Sequence, residues 1–213
     1  KPDIIYSRLT NIECLFIPKN IPIVYEMHSL GSLTGNLLER WAMNFLMIYK
    51  NFRRLIVTTN RLEKWLGEIC PEHEIIVARL SAEEPVMFKE KVKNRFKSKR
   101  LKGVHQFNIG YTGFLDKSGY RGTEILLQLA EALPEIGVHV IGGLPEIVEY
   151  WKETATPKNI FFYGFQNPNL IPYYLQSLDV VLSPLQLSKA ERAPTGKGMS
   201  LLKIPQYLSY GAC

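Results

Sequence analysis

The chain has 213 residues, 46% of them hydrophobic and 22% charged, with a net charge of +6. That is ordinary globular composition, enough for one large domain or two small ones. No run of about 18 apolar residues occurs, which excludes a predicted transmembrane helix, and the three cysteines (Cys14, Cys70, Cys213) match no metal spacing and read as reduced thiols of a cytoplasmic protein.

The N-terminus enters a strand at once, at Ile4–Ser7, with no signal-peptide layout. Further short, β-branched runs follow at Ile21–Met27, Arg54–Thr59 and Glu74–Ala78, bounded by Pro, Asn or Ser. Between the second and third, Leu38, Trp41, Phe45, Ile48 and Phe52 recur at helical spacing and predict a helix from Gly35 to Arg53, capped by Ser32 or Thr34. From Lys89 to Lys102 the pattern lapses into eight Lys or Arg and one Glu. This stretch reads first as a solvated linker, with attraction to an anionic membrane surface as the next reading. Nucleic acid is set aside, because only Phe96 is available for base stacking. The reading therefore divides the chain into residues 1–104, with the basic linker at the end, and residues 105–213.

The second half is more specific. Ile109–Leu115 is followed by Tyr120-Arg121-Gly122, which opens a helix, and then by Val138–Gly143, Asn159–Phe165, Leu178–Pro184 and Gly198–Tyr207. Each strand-like run ends in Gly, Ser or Pro and leads into a helical pattern. That alternation predicts an α/β chain built from parallel sheets, which bind ligands at the carboxyl ends of their strands.

In order and spacing these segments resemble the donor-binding half of GT-B glycosyltransferases, specifically retaining family 4. In the first half the resemblance rests on layout and on the strand-plus-His segment Pro22–His28. The resemblance implies two Rossmann-like parallel-sheet domains facing a cleft, incomplete at both termini. The family's glycine-rich loop follows its first strand, and the chain is expected to start beyond that loop and to stop before further strands that would follow Cys213, so the chain alone is expected to turn over slowly. The implied activity moves a sugar from a nucleotide-diphosphate sugar to a glycan or lipid-linked acceptor, as in polysaccharide biosynthesis, with no metal or other cofactor.

Residue by residue, the resemblance gives Lys203 and Arg121 to the donor diphosphate, with Gly113, Gly142, Gly143 and Ser200 in the surrounding loops. It puts Phe165 and Gln166 beside the base, although Phe165 also reads as core, and Gln206 at the ribose. It places His28 against the transferred sugar or the acceptor, as the catalytic candidate. Three positions depart from the family pattern. Phe114 stands where a second cation is common, Gln206 stands where a glutamate grips the ribose, and Gly198 stands at the other acidic position. An amide accepts at one end and donates at the other, so Gln206 offers a weaker grip than a carboxylate. Two further readings stay open: a non-catalytic nucleotide-sugar-binding module, and another GT-B enzyme such as a sugar-nucleotide epimerase. The basic charge and the apolar face around Trp41, Met43, Phe45 and Met47 suit peripheral docking at the inner face of a membrane, while a core helix is the competing reading of that face.

Overall fold

The computed structural model describes residues 2–8, 16–28, 37, 41, 52–82, 84, 87–186 and 202–211. The described residues fall into two compact units, one up to Leu80 and the other from Ser81 onward.

The first unit holds strands β1 (Ile5–Ser7), β2 (Ile23–Met27), β3 (Phe52–Val57) and β4 (Glu74–Val77), with helix α1 (Asn60–Ile69) between the last two. The strands run parallel in the order β1-β2-β3-β4. Period-two alternation sends Ile23, Tyr25 and Met27 of β2 to the core with Leu55 and Val57. There they meet Leu62 and Leu66, which are spaced four apart on one face of α1. Thr59 caps α1, its Oγ1 accepting the Leu62 N–H at 3.2 Å. The strand predicted to begin at Arg54 begins at Phe52, so Phe52 and Arg53 belong to β3 and not to the predicted helix. The backbone-paired register of β3 with β2 overrides the helical spacing of Phe52. Leu37 and Trp41 are helical; the rest of the predicted helix, with Met43, Phe45 and Met47, lies outside the described residues.

The second unit opens with α2 (Glu90–Arg100), followed by β5 (Asn108–Thr112), α3 (Thr123–Ala132), β6 (Gly137–Ile141), α4 (Pro145–Thr154) and β7 (Ile160–Gly164). It continues through α5 (Ile171–Ser177), β8 (Val180–Val181) and α6 (Lys203–Ser209). The four strands are parallel in the order β7-β6-β5-β8. Every residue of β5 and β6 is buried, as expected of parallel strands covered on both faces. One face packs Ile109, Tyr111, Val138 and Val140 against Leu126 and Ala130 of α3 and Val148 and Trp151 of α4. The other packs Ile141 and Val181 against Tyr174 and Leu175 of α5 and Tyr207 of α6.

The basic stretch expected as a linker is a helix of the second unit. Phe96 stacks on Tyr173 at 5.3 Å and meets Tyr174 edge-on at 5.0 Å. Lys97 pairs with Asp179 at 3.7 Å, and the Phe88 N–H bonds Gln176 Oε1 at 2.9 Å. The units therefore divide after Leu80 and not near Val104. The aromatic anchors on α5 lie some 80 residues along the chain, which is why the local charge pattern conceals them.

A buried polar network ties the sheet to the start of β5. His139, fully buried in β6, sits between Tyr163 Oη (2.8 Å to Nδ1) and Asn108 Oδ1 (3.1 Å to Nε2). Asn108 Oδ1 also accepts the His105 N–H, and Tyr163 Oη accepts the Lys102 N–H. The arrangement is self-consistent with a neutral ring protonated at Nε2 and accepting the Tyr163 hydroxyl at Nδ1. Burial, aided by the positive charges of His105 and Lys97, pulls the His139 pKa down to about 4.

Candidate anion-binding site

The strand order places a topological switch point at β5. The chain leaves β5 toward β6 and β7 on one side and returns as β8 on the other. Open α/β sheets bind ligands at the carboxyl ends of strands at such a point. Gly113 follows β5 directly, and around it the structure gathers the two cations singled out in the sequence.

Lys203 is the first residue of α6, on the first helical turn as predicted. Its ammonium donates to Tyr111 Oη at 2.6 Å and lies 3.9 Å from the centre of that ring. Tyr111 is buried, and its own hydroxyl donates to the Phe114 carbonyl at 2.9 Å. A second tyrosine fixes the helix: Tyr207 Oη contacts the Thr112 backbone at both the N–H (3.3 Å) and the carbonyl (3.1 Å). Glycine at position 113 lets the lysine end lie against the strand end. A Cβ there would sit 1.9 Å from Lys203 Nζ, on backbone with φ of +149°.

Arg121 approaches from the loop before α3. Its guanidinium lies 4.5 Å from the Tyr120 ring centre and 5.9 Å from that of Phe114. Phe114, where the family pattern often carries a cation, is thus an aromatic flank for Arg121. The Arg121 Nε is buried without a hydrogen-bond partner among the described residues. Burial, and then the like charge of Arg121, pull the Lys203 pKa down to about 7. Among the described residues neither cation pairs with a carboxylate. Two cations close enough for one to lower the pKa of the other, with one buried N–H left without a partner among the described residues, carry the chemistry that an anion with several oxygens would use.

The remaining candidates divide. Gly142 and Gly143 end β6 beside this loop. The Gly142 N–H bonds the Gly164 carbonyl at 2.9 Å, and the Gly113 N–H bonds the Ile141 carbonyl at 2.8 Å. A Cβ on Gly142, where φ is +121°, would meet the Gly113 carbonyl oxygen at 2.0 Å. That close backbone packing accounts for glycine at this position. Gly143 packs on Leu115 and Val148. Phe165 is 74% exposed after β7, so its alternative reading as a core residue is corrected. Gln166 is held at both ends, its Nε2 donating to the Tyr163 carbonyl at 2.9 Å and its Oε1 accepting from Tyr174 Oη at 3.2 Å. Gln206, one turn beyond Lys203, lines a hollow of about 280 Å³ with Ser81, Ala82, Leu202, Ser209 and Tyr210. Ser200 and Gly198 lie outside the described residues.

His28 follows β2 in the first unit. Its Nε2 bonds Glu26 Oε1, and the other Glu26 oxygen accepts from Tyr6 Oη. The hydrogen bonds from Tyr6 and His28 outweigh partial burial and hold the Glu26 carboxyl below its usual range. Glu26 was missed in the sequence, yet a signal was present, because residues two apart on a strand share a face. Tyr111 and Tyr207 were also missed. Each reads as an ordinary strand or helix residue until the register brings them beside Lys203.

No protein-family model matches the chain, and a search of curated proteins gives no match. Solved structures do match. HepE of Anabaena, solved with UDP-glucose, aligns with 92% of this chain and 58% of its own at TM-score 0.63 and 17% identity. A glycosyltransferase of Rickettsia africae aligns over 85% and 51% at TM-score 0.61 and 15% identity. The pneumococcal O-GlcNAc transferase GtfA, solved with UDP and GlcNAc, aligns over 91% and 37% at TM-score 0.56 and 13% identity. The two parallel four-stranded sheets are those of the Rossmann-like GT-B fold. The chain spans between about a third and three-fifths of the length of these structures.

Proposed function

We propose that the chain belongs to a retaining glycosyltransferase that moves a sugar, of the hexose class, from a nucleotide-diphosphate sugar to a glycan or lipid-linked acceptor. One observation carries this reading. Lys203 and Arg121 stand on separate elements at the end of the switch-point strand, each against an aromatic ring and neither paired with a carboxylate among the described residues. As the bond to the sugar breaks, negative charge gathers on the leaving diphosphate, and fixed cations stabilise it without reorganising. The two side chains supply that charge themselves, so the reading requires no metal. By family resemblance, retention follows from front-face attack, with a donor phosphate oxygen taking the acceptor proton and no dedicated base. His28 contacts the sugar or acceptor in this reading, held by Glu26. UDP-sugars are the first donors to test, because two of the matched structures contain UDP or UDP-glucose. The exposed cations Lys91, Lys99 and Arg100 of α2 suit peripheral contact with an anionic membrane from the cytoplasmic side.

A second reading, a nucleotide-sugar-binding module without turnover, is favoured by Gln206 at the ribose position. The test is release of nucleoside diphosphate from a panel of UDP-, GDP- and ADP-sugars with glycan and lipid-linked acceptors. Release with one donor supports the transferase; binding without release supports the module. Failure of every nucleotide to bind rejects both.

A further inference from the structure

We propose that Tyr111 is the positioning residue of the anion site, aiming the Lys203 ammonium at the donor phosphates and linking their binding to uptake of a proton. The inference rests on the phosphate reading of Lys203 and adds a role that the sequence pattern does not assign.

The geometry is specific. One hydroxyl serves two partners: Tyr111 Oη donates to the Phe114 carbonyl and accepts from Lys203 Nζ. The first bond orients the oxygen lone pairs toward the lysine. The ring below supplies a π face at 3.9 Å, a favourable surface for a cation with little access to water. The ammonium lies where a Cβ on residue 113 would stand, and the Tyr207–Thr112 contacts hold the backbone of α6 in register with β5. Lys203 is therefore held at its ammonium by Tyr111 and at its backbone by α6 before any ligand arrives, and such preorganisation lowers the ordering cost on binding.

The charges around Lys203 determine the proton linkage. Tyr111 faces it from β5, Arg121 from the loop before α3, and Tyr207 lies one turn along α6, with Asp116 and Tyr120 farther off beside Tyr111. The only carboxylate of this set, Asp116, accepts from Ser118 at Oδ1, has Oδ2 buried without a partner among the described residues, and is not among the causes of the Lys203 shift. With Arg121 as a neighbouring cation and no anion acting on it among the described residues, the free site carries a partly deprotonated lysine near neutral pH. A diphosphate supplies the missing negative charge, so Lys203 takes up a proton as it binds. Affinity then falls as pH rises above neutrality. Removing the Tyr111 hydroxyl deletes an acceptor that favours the ammonium, and this decline moves to lower pH.

The experiment is calorimetric titration of UDP, GDP and ADP into the chain between about pH 6.5 and about pH 9, in paired buffers of different ionisation heat. The wild-type chain is expected to take up a fraction of a proton near neutral pH. Tyr111→Phe, which keeps the ring, should bind about tenfold more weakly at neutral pH, with its alkaline decline shifted downward. Lys203→Ala should bind weakly with a flat profile over the alkaline range. Wild-type affinity and profile in Tyr111→Phe, beside weakened Lys203→Ala, would overturn the role of Tyr111 and leave the phosphate reading intact. Wild-type affinity in Lys203→Ala would overturn the phosphate reading itself. A measurement on the unsubstituted chain covers the case in which Tyr111→Phe misfolds. The Lys203 ε-methylene protons should show an upfield ring-current shift and contacts to the Tyr111 ring by NMR, and normal shifts without those contacts would overturn the proposal.

Discussion

The two sheets end their strands in opposite electrostatic conditions. Beyond β2, His28 meets Glu26, and Glu26 meets Tyr6, so both oxygens of the Glu26 carboxylate are hydrogen-bonded within the unit. Beyond β5, Lys203 feels the like charge of Arg121, and the partners of the two among the described residues are aromatic rings and one hydroxyl. A carboxylate hydrogen-bonded at both oxygens holds its shape without a ligand. A pair of like charges at a strand end raises the energy of the empty site and lowers it when an anion arrives. The packing differs as well. β5 and β6 are buried throughout, whereas β1 leaves Tyr6 57% exposed. The candidate site thus lies on the more fully enclosed of the two described sheets, which would suit a preorganised site.

The comparison can be broken most forcefully at the glycines. Gly142→Ala forces a Cβ against the Gly113 carbonyl on positive-φ backbone, and should cost about 2–4 kcal/mol in a denaturant melt. A cost below about 0.5 kcal/mol would show that the β5 and β6 ends are not locked together.

Acid should act on the second unit through His139. Its folded pKa lies below the ordinary histidine value of 6.5, so the unfolded chain binds more protons between pH 6.5 and about 4. The contribution is complete above that window and is lost as pH falls through it, by about 3 kcal/mol at most. Urea melts across this range check it, and His139→Gln should flatten the dependence. An unchanged slope in that variant would place the acid sensitivity elsewhere.

Phe96→Ala should destabilise the second unit by about 1–2 kcal/mol, since it removes two aromatic contacts from a half-buried side chain. Thermal melts with and without residues 81–104 would sharpen the assignment of α2 to that unit. The smallest expected effect is at Gln206. Gln206→Glu should preserve UDP affinity or tighten it by up to about 1 kcal/mol if the amide meets ribose hydroxyls. A loss of affinity would remove Gln206 from the ribose.

Much of this was legible in the sequence, and the rest had physical reasons to be hidden. The strands of the second unit were visible because fully buried parallel strands write continuous β-branched runs ended by glycine, as at Val138–Gly143. Lys203 on a first helical turn was legible from its loop. The helix α2 was not, because its polar side chains outnumber the anchors Phe88 and Phe96, whose partners on α5 are remote in sequence. The tyrosine clamp was hidden for a related reason. Nothing local to Tyr111 announces that a lysine 92 residues later will rest on its ring. At Phe52 the apolar spacing pointed to helix, and strand pairing won.

The central claim, that the end of β5 receives a diphosphate, is tested most directly by calorimetry of UDP, GDP and ADP with three forms of the chain at neutral pH. These are wild type, Lys203→Ala, and Lys203→Ala combined with Arg121→Ala. The account predicts that one of the nucleotides binds the wild-type chain, that the single variant weakens it by about 1–3 kcal/mol, and that the double variant shows no measurable binding. Equal affinity in all three forms would contradict it.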